Sequence, residues 1–209
     1  YLIVAAHLVL SSNEHETAAQ SGATFSASFE AISAATQSRS PRETPKPLIQ
    51  GLQTAKVVGP PGEEIYTDEY GRVKVHFHWD RYGQENENDS CWIRVSHPWA
   101  GKNYGGIHIP RIGQEVVVEF MEGDPDRPLI TGRVYNAQQM PPWKLPDHKT
   151  QSGTLSNWSI GGGGASMLRF EDKKGIEHLE LSNTYGQTHL HMGYLMNQGS
   201  GAQRGYGFE

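Results

Sequence analysis

Apolar and polar residues alternate along most of this chain in short runs, each closed off by glycine, proline or acidic residues. The clearest run is "RVKVHFHW", in which Val73, Val75, Phe77 and Trp79 fall on one side of an extended strand and Arg72, Lys74, His76 and His78 on the other. "GLQTAKVVG", "CWIRVS", "GGIHIP", "QEVVVEF" and "RPLITGRVY" repeat the pattern, with "GPPGEEIYTDEYG", "PRIGQ" and "EGDPDRP" as turns between them. About five strands in roughly 85 residues, 51–136, predict a small closed barrel of the OB type, because closure removes exposed sheet edges.

The flanks have a different rhythm. Residues 1–36 hold two apolar runs, "YLIVAAHLVL" and "TFSASFEAI", which read as two antiparallel strands cut from a larger sheet. The proline-rich, charged stretch up to residue 50 reads as a linker, and a second linker is expected over 137–165. From residue 166 to 209, short alternating runs are punctuated by glycine every eight to ten residues or so. There Leu179 and Leu181 share one strand face, as do Leu190 and Met192, with His189 and His191 on the opposite face. Such runs are too short and too poor in apolar residues to bury themselves, so Leu179, Leu181 and Leu190 are expected in an interface with other chains. Were three chains to meet there, copies of His189 and His191 about the shared axis would supply enough imidazoles for an ion. The first reading of both is nevertheless strand surface, with no metal and no cofactor.

Composition narrows the chemistry. The 209 residues include 24 Gly and 12 Pro, which disfavour long helices and support an all-β fold. The formal charge is -5, and residues 51–136 carry nine Lys and Arg against thirteen Asp and Glu, a balance that disfavours a nucleic-acid partner. No stretch approaches the ~18 apolar residues of a membrane span, and the opening lacks an initiator Met and a basic leader, so the chain reads as a piece of a longer protein. Cys91 excludes an internal disulfide and is expected as a small buried residue of "CWIRV".

Candidate catalytic groups find weak support. Glu63, Glu64, Asp68 and Glu69 lie in a turn-rich stretch where solvated carboxylates are ordinary. His76 and His78, two residues apart on one strand face, could reach a common metal, but no further ligand cluster accompanies them. "GGGG" at 161–164 lacks the Lys and Ser or Thr of a phosphate loop, and no Gly-x-Ser-x-Gly pattern occurs.

Three long stretches carry a resemblance: "QTAKVVGPPGEEIYTDEYGRVKVHFHWDRYG", "SCWIRVSHPWAGKNYGGIHIPRIGQEVVVEFMEGDPDRPLITGRVYNAQQMPPWKLP" and "MLRFEDKKGIEHLEL". Together they resemble the core of VgrG, the valine-glycine repeat spike family of bacterial type VI secretion systems. The resemblance implies the end of a hub-like domain at 1–50, the barrel at 51–136, and the start of a trimeric β-helix at 166–209. It also implies a homotrimer seated on the Hcp tube, a PAAR-repeat tip, carried effectors, and contact with the target membrane that is mechanical only. Such a protein resides in the bacterial cytoplasm before firing and is then secreted or translocated. Two rival readings remain: an OB module binding nucleic acid or oligosaccharide, and an envelope-degrading enzyme like that of the related phage spike.

Overall fold

The computed structural model describes residues 1–11, 24–185, 188–194 and 204–208. The chain divides into two compact units, Tyr1–Lys46 and Pro47–Glu209. In the first, β1 (Leu2–Ser11) pairs antiparallel with β2 (Thr24–Ile32), with a register shift between Ile3 and Ala5. The two expected strands are present, but two strands offer no second layer. Apolar side chains on both faces, Leu8 and Val9 among them, therefore stand in the open.

The second unit opens with the barrel. Strands β3 (Gln53–Val58), β4 (Lys74–Phe77) and β5 (Arg94–Val95) are followed by a small hairpin, β6 (Trp99–Gly101) and β7 (Tyr104–Gly106), and then by β8 (Glu115–Phe120) and β9 (Pro128–Val134). The main sheet has the order β4-β3-β8-β9-β5, with β5 parallel to β9 and the other pairs antiparallel. Its two edges meet where Val73 and Ile93 exchange backbone hydrogen bonds of 3.0 and 2.8 Å. That exchange joins the strands at either end of the sheet order and closes the sheet on itself, the five-stranded barrel expected from the sequence.

Alternation then sends one face of the main sheet inward. Ala55, Val57, Val73, Val75, Ile93, Val116, Val118 and Ile130 are all at most 1% exposed and form a single core. All but Ala55 are β-branched, a shape that suits the pleated inner wall.

The sequence reading fails at three strand ends. Trp79, expected on the core face, is exposed because the strand stops at Phe77; its ring stacks on Phe77 and its indole N–H donates to Gln53 Oε1 at 2.9 Å. Cys91, expected to be buried, is exposed, because strand geometry begins only at the Ile93 bridge and the alternation does not extend back to it. "GGIHIP" supplies only the end of β7; Ile107 is exposed, and Pro110, which has no N–H to give a ladder, follows it in a loop.

Five strands between Gln151 and Phe208 form a second sheet, an antiparallel meander in the order β10-β11-β12-β13-β14. The strands are β10 (Gln151–Leu155), β11 (Ser166–Glu171), β12 (His178–Asn183), β13 (Thr188–Tyr194) and β14 (Arg204–Phe208). The first strand comes from inside 137–165, a stretch the sequence reading left to a linker. The four glycines expected as a turn lie between β10 and β11, where Gly161, Gly162 and Gly163 have φ of 84, 71 and 93°, a region side chains rarely enter.

Candidate functional site

The meander sheet has an apolar face and a polar face. Cross-strand register places Leu168 opposite Leu181 and Leu181 opposite Leu190; beside them, Phe170 faces Leu179 and Leu179 faces Met192. These six side chains form one continuous patch on one side of a single-layered sheet. Leu168, Phe170, Leu181 and Met192 are 39, 41, 52 and 38% exposed, and Leu179 and Leu190 are half-buried. The three predicted interface residues, Leu179, Leu181 and Leu190, thus lie on a common face. Met192, paired with Leu190 in the sequence reading, belongs to the same patch; so do Leu168 and Phe170, which were missed although the alternation in "SMLRFED" carries their signal.

The opposite face binds itself together. Arg169 pairs with Glu180, and His189 Nδ1 lies 3.6 Å from Glu180 Oε1. Gln151 donates to Glu171 Oε2 at 3.1 Å and the Lys173 N–H to Glu171 Oε1 at 2.9 Å. A hydrogen bond from the Thr150 side chain is the main cause holding the Glu171 carboxyl below its ordinary value, against the opposing effect of burial. Glu171 and Glu180 are buried while large apolar groups across the sheet are exposed. This inversion leaves the apolar face as the uncovered side of the sheet among the described residues.

The carboxylates and histidines of the barrel are committed to local structure. Burial opposes ionisation of Asp89 most strongly, yet hydrogen bonds from the Gln84 N–H, His76 and the Glu85 N–H keep its carboxyl below the ordinary range. His76 Nδ1 lies 2.7 Å from Asp89 Oδ2, so His76 faces the 80–90 loop instead of solvent, while His78 is exposed past the strand end. The two histidines are therefore not brought together. Asp80 lies within reach of His76 and Asp89, but its Oδ1 accepts the Tyr82 and Gly83 N–H groups.

Asp68 is similarly occupied. Burial disfavours its charge most, but the N–H groups of Arg72 and Tyr70 and the Arg72 guanidinium, 2.6 Å away, lower its pKa. Glu64 is lowered chiefly by the Gly161 N–H, 2.5 Å from its Oε1, and then by Ser159, which ties the glycine loop to the barrel. Glu63 and Glu69 are exposed. Every carboxyl displacement with a resolved direction among the described residues is downward, opposite to what a general acid requires. Two shallow clefts flank the β5–β9 side of the barrel. One, of about 230 Å³, includes Cys91, Trp92 and Arg94; the other, of about 340 Å³, includes His97 and Arg133.

Comparison with known proteins follows the same division of the chain. Residues 63–135 match the type VI secretion system/phage-baseplate injector OB domain family, and residues 158–209 match the type VI secretion system Rhs element Vgr family. The chain is 54% identical over 193 residues to the spike protein VgrG1a of Pseudomonas aeruginosa, covering 91% of this chain and 30% of the relative. It is 58% identical over 182 residues to VgrG1c of the same organism, covering 86% and 25%. It is also 56% identical over 137 residues to the actin cross-linking toxin VgrG1 of Vibrio cholerae, covering 66% of this chain and 12% of that protein. The chain thus spans about 30% or less of the length of these relatives.

Proposed function

The chain belongs to the VgrG spike family of type VI secretion systems, and on that premise we propose that it is a load-bearing segment of a trimeric spike, with the meander sheet as its assembly surface. The observation that carries this is the uncovered apolar face of β11, β12 and β13. Three copies of that sheet, each turning its leucines inward, satisfy one another as the walls of a prism and begin a β-helix around a shared axis. Burying one leucine contributes about 1.5–3 kcal/mol, so several per chain supply a substantial clamp.

The barrel's role in this reading is rigid spacing. Its closed core, its turn-bound carboxylates and its negative balance favour a scaffold over either the nucleic-acid module or the envelope-degrading enzyme. Seating on the Hcp tube, a PAAR-repeat tip, carried effectors, and passage from the bacterial cytoplasm into a target cell complete the proposal. None of these requires a cofactor, and the target membrane is met mechanically.

The test is a secretion assay in a strain whose only spike protein is the full-length parent of this chain. Leu181→Asp should leave the protein present in the cell but abolish Hcp release into the medium. Release at the unaltered level would remove the assembly surface from this face.

A further inference from the structure

On the polar face of the same sheet, β12 and β13 bring together His178, Glu180 and His191. Glu180 is directly opposite His191 in the register, and His178 is two residues before Glu180 on the same face. The two imidazoles stack with ring centroids 4.5 Å apart. One ligand-type atom from each of the three residues lies within 4.8 Å of the others.

The outer hydrogen bonds fix which nitrogens are free. His178 Nδ1 is 2.9 Å from the Ile176 carbonyl oxygen, and His191 Nε2 is 2.7 Å from that of Tyr194. A carbonyl only accepts, so each of those nitrogens carries the proton. In the neutral rings the lone pairs then reside on His178 Nε2 and His191 Nδ1. His178 Nε2 is buried without a hydrogen-bond partner. A buried ring acceptor with no donor calls for an explanation, and an imidazole whose second nitrogen donates to a backbone carbonyl is the arrangement seen in metal ligands. Glu180 contributes a buried carboxylate anchored by Arg169, and His189, 3.6 Å from Glu180 Oε1, stands beside it as a fourth donor.

We propose that His178, Glu180 and His191 form a divalent-cation site, with zinc or a similar imidazole-binding ion as its ligand. Two imidazole nitrogens and a carboxylate suit zinc better than the all-oxygen shells of calcium or magnesium. Ligands bound to zinc at about 2.0–2.1 Å lie roughly 3.4 Å apart, so side-chain rotation brings the donors, which lie within 4.8 Å of one another, to that spacing. Bound there, the ion staples β12 to β13 and fixes their register. All its ligands come from one chain, so the site differs from an ion held by His189 and His191 on a three-fold axis, and it does not depend on the assembly proposed above. It also stands against the sequence reading that assigned no metal.

The test uses the full chain, stripped with EDTA and dialysed, titrated with zinc chloride alone, with bound zinc measured by elemental analysis. Cobalt(II) provides a visible-absorption signature of the same site. One zinc per chain is expected. His178→Asn and His191→Asn should each weaken binding by more than the roughly 10- to 100-fold that loss of an outer hydrogen-bond partner costs. His148→Asn, in an exposed loop, should change nothing. If either histidine variant fails to fold by circular dichroism, Glu180→Gln, nearly isosteric, must lower the affinity and alter the cobalt spectrum. No uptake with zinc in excess, one zinc per three chains, or uptake indifferent to His191→Asn and Glu180→Gln would each overturn the site.

Discussion

The barrel and the meander are both five-stranded sheets built from the same alternation, yet one hides its apolar face and the other displays it. In the barrel, the backbone exchange between Val73 and Ile93 bends the sheet round until its inner wall becomes its own partner, and eight aliphatic side chains disappear from solvent. The meander has no such bridge among its described residues, so Leu168, Phe170, Leu181 and Met192 stay open. Closure decides whether alternation makes a self-sufficient core or an adhesive surface. The first region holds its core within itself, while the apolar face of the second stays open among the described residues.

The largest expected effect tests that contrast with one substitution made in both places. Val118→Asp places a carboxylate in a dry, closed core; the cost of several kcal/mol is comparable to the whole stability of a small domain, so the barrel should unfold. Leu181→Asp, starting from a side chain that is half-exposed in one chain, should leave the barrel folded and dissociate the trimer proposed above. Circular dichroism melts and sedimentation velocity on the full-length protein separate the two outcomes. A Leu181→Asp protein that sediments as an unchanged trimer would place the clamp elsewhere.

A medium effect sharpens what holds the barrel's outer wall. Asp89 is nearly covered and accepts two backbone N–H groups as well as His76, so Asp89→Asn leaves donors short of partners and should cost about 1–3 kcal/mol at neutral pH. The folded pKa of Asp89 is lowered. Its contribution is therefore complete above the ordinary carboxylate pKa and is lost as pH falls through the lower folded value. Urea denaturation at several pH values should show the two proteins converging as the solution becomes acidic; a constant gap would mean that the carboxylate charge is irrelevant.

The smallest effect concerns Cys91. Because it is exposed at the lip of a cleft and outside the core, Cys91→Ser should shift stability by no more than about 0.5 kcal/mol, and iodoacetamide should label the native thiol without denaturant. Protection from labelling until urea unfolds the chain would restore the buried reading.

Much of this was legible in the sequence. Val73 and Val75 declared their inward face by alternation, as did Leu179 and Leu181 within a single strand, because a two-residue period is a local property of extended backbone. The glycine loop at 161–164 and the acidic turns were equally local, since positive φ and side-chain caps act over a few residues. Strand ends were not. Trp79 continues the pattern on paper, but hydrogen-bonded pairing stops at Phe77, and only the partner strand decides where pairing stops.

The tertiary structure alone decided what depends on register between strands. Closure rests on Val73 meeting Ile93, twenty positions away, and the polar cluster on Glu180 meeting His191 while His178 comes within stacking distance of that ring. A sequence states which face a residue occupies, because that follows from its own backbone. Which residue lies opposite is set by how several strands share a sheet and balance burial against unpaired edges, a choice made by the chain as a whole.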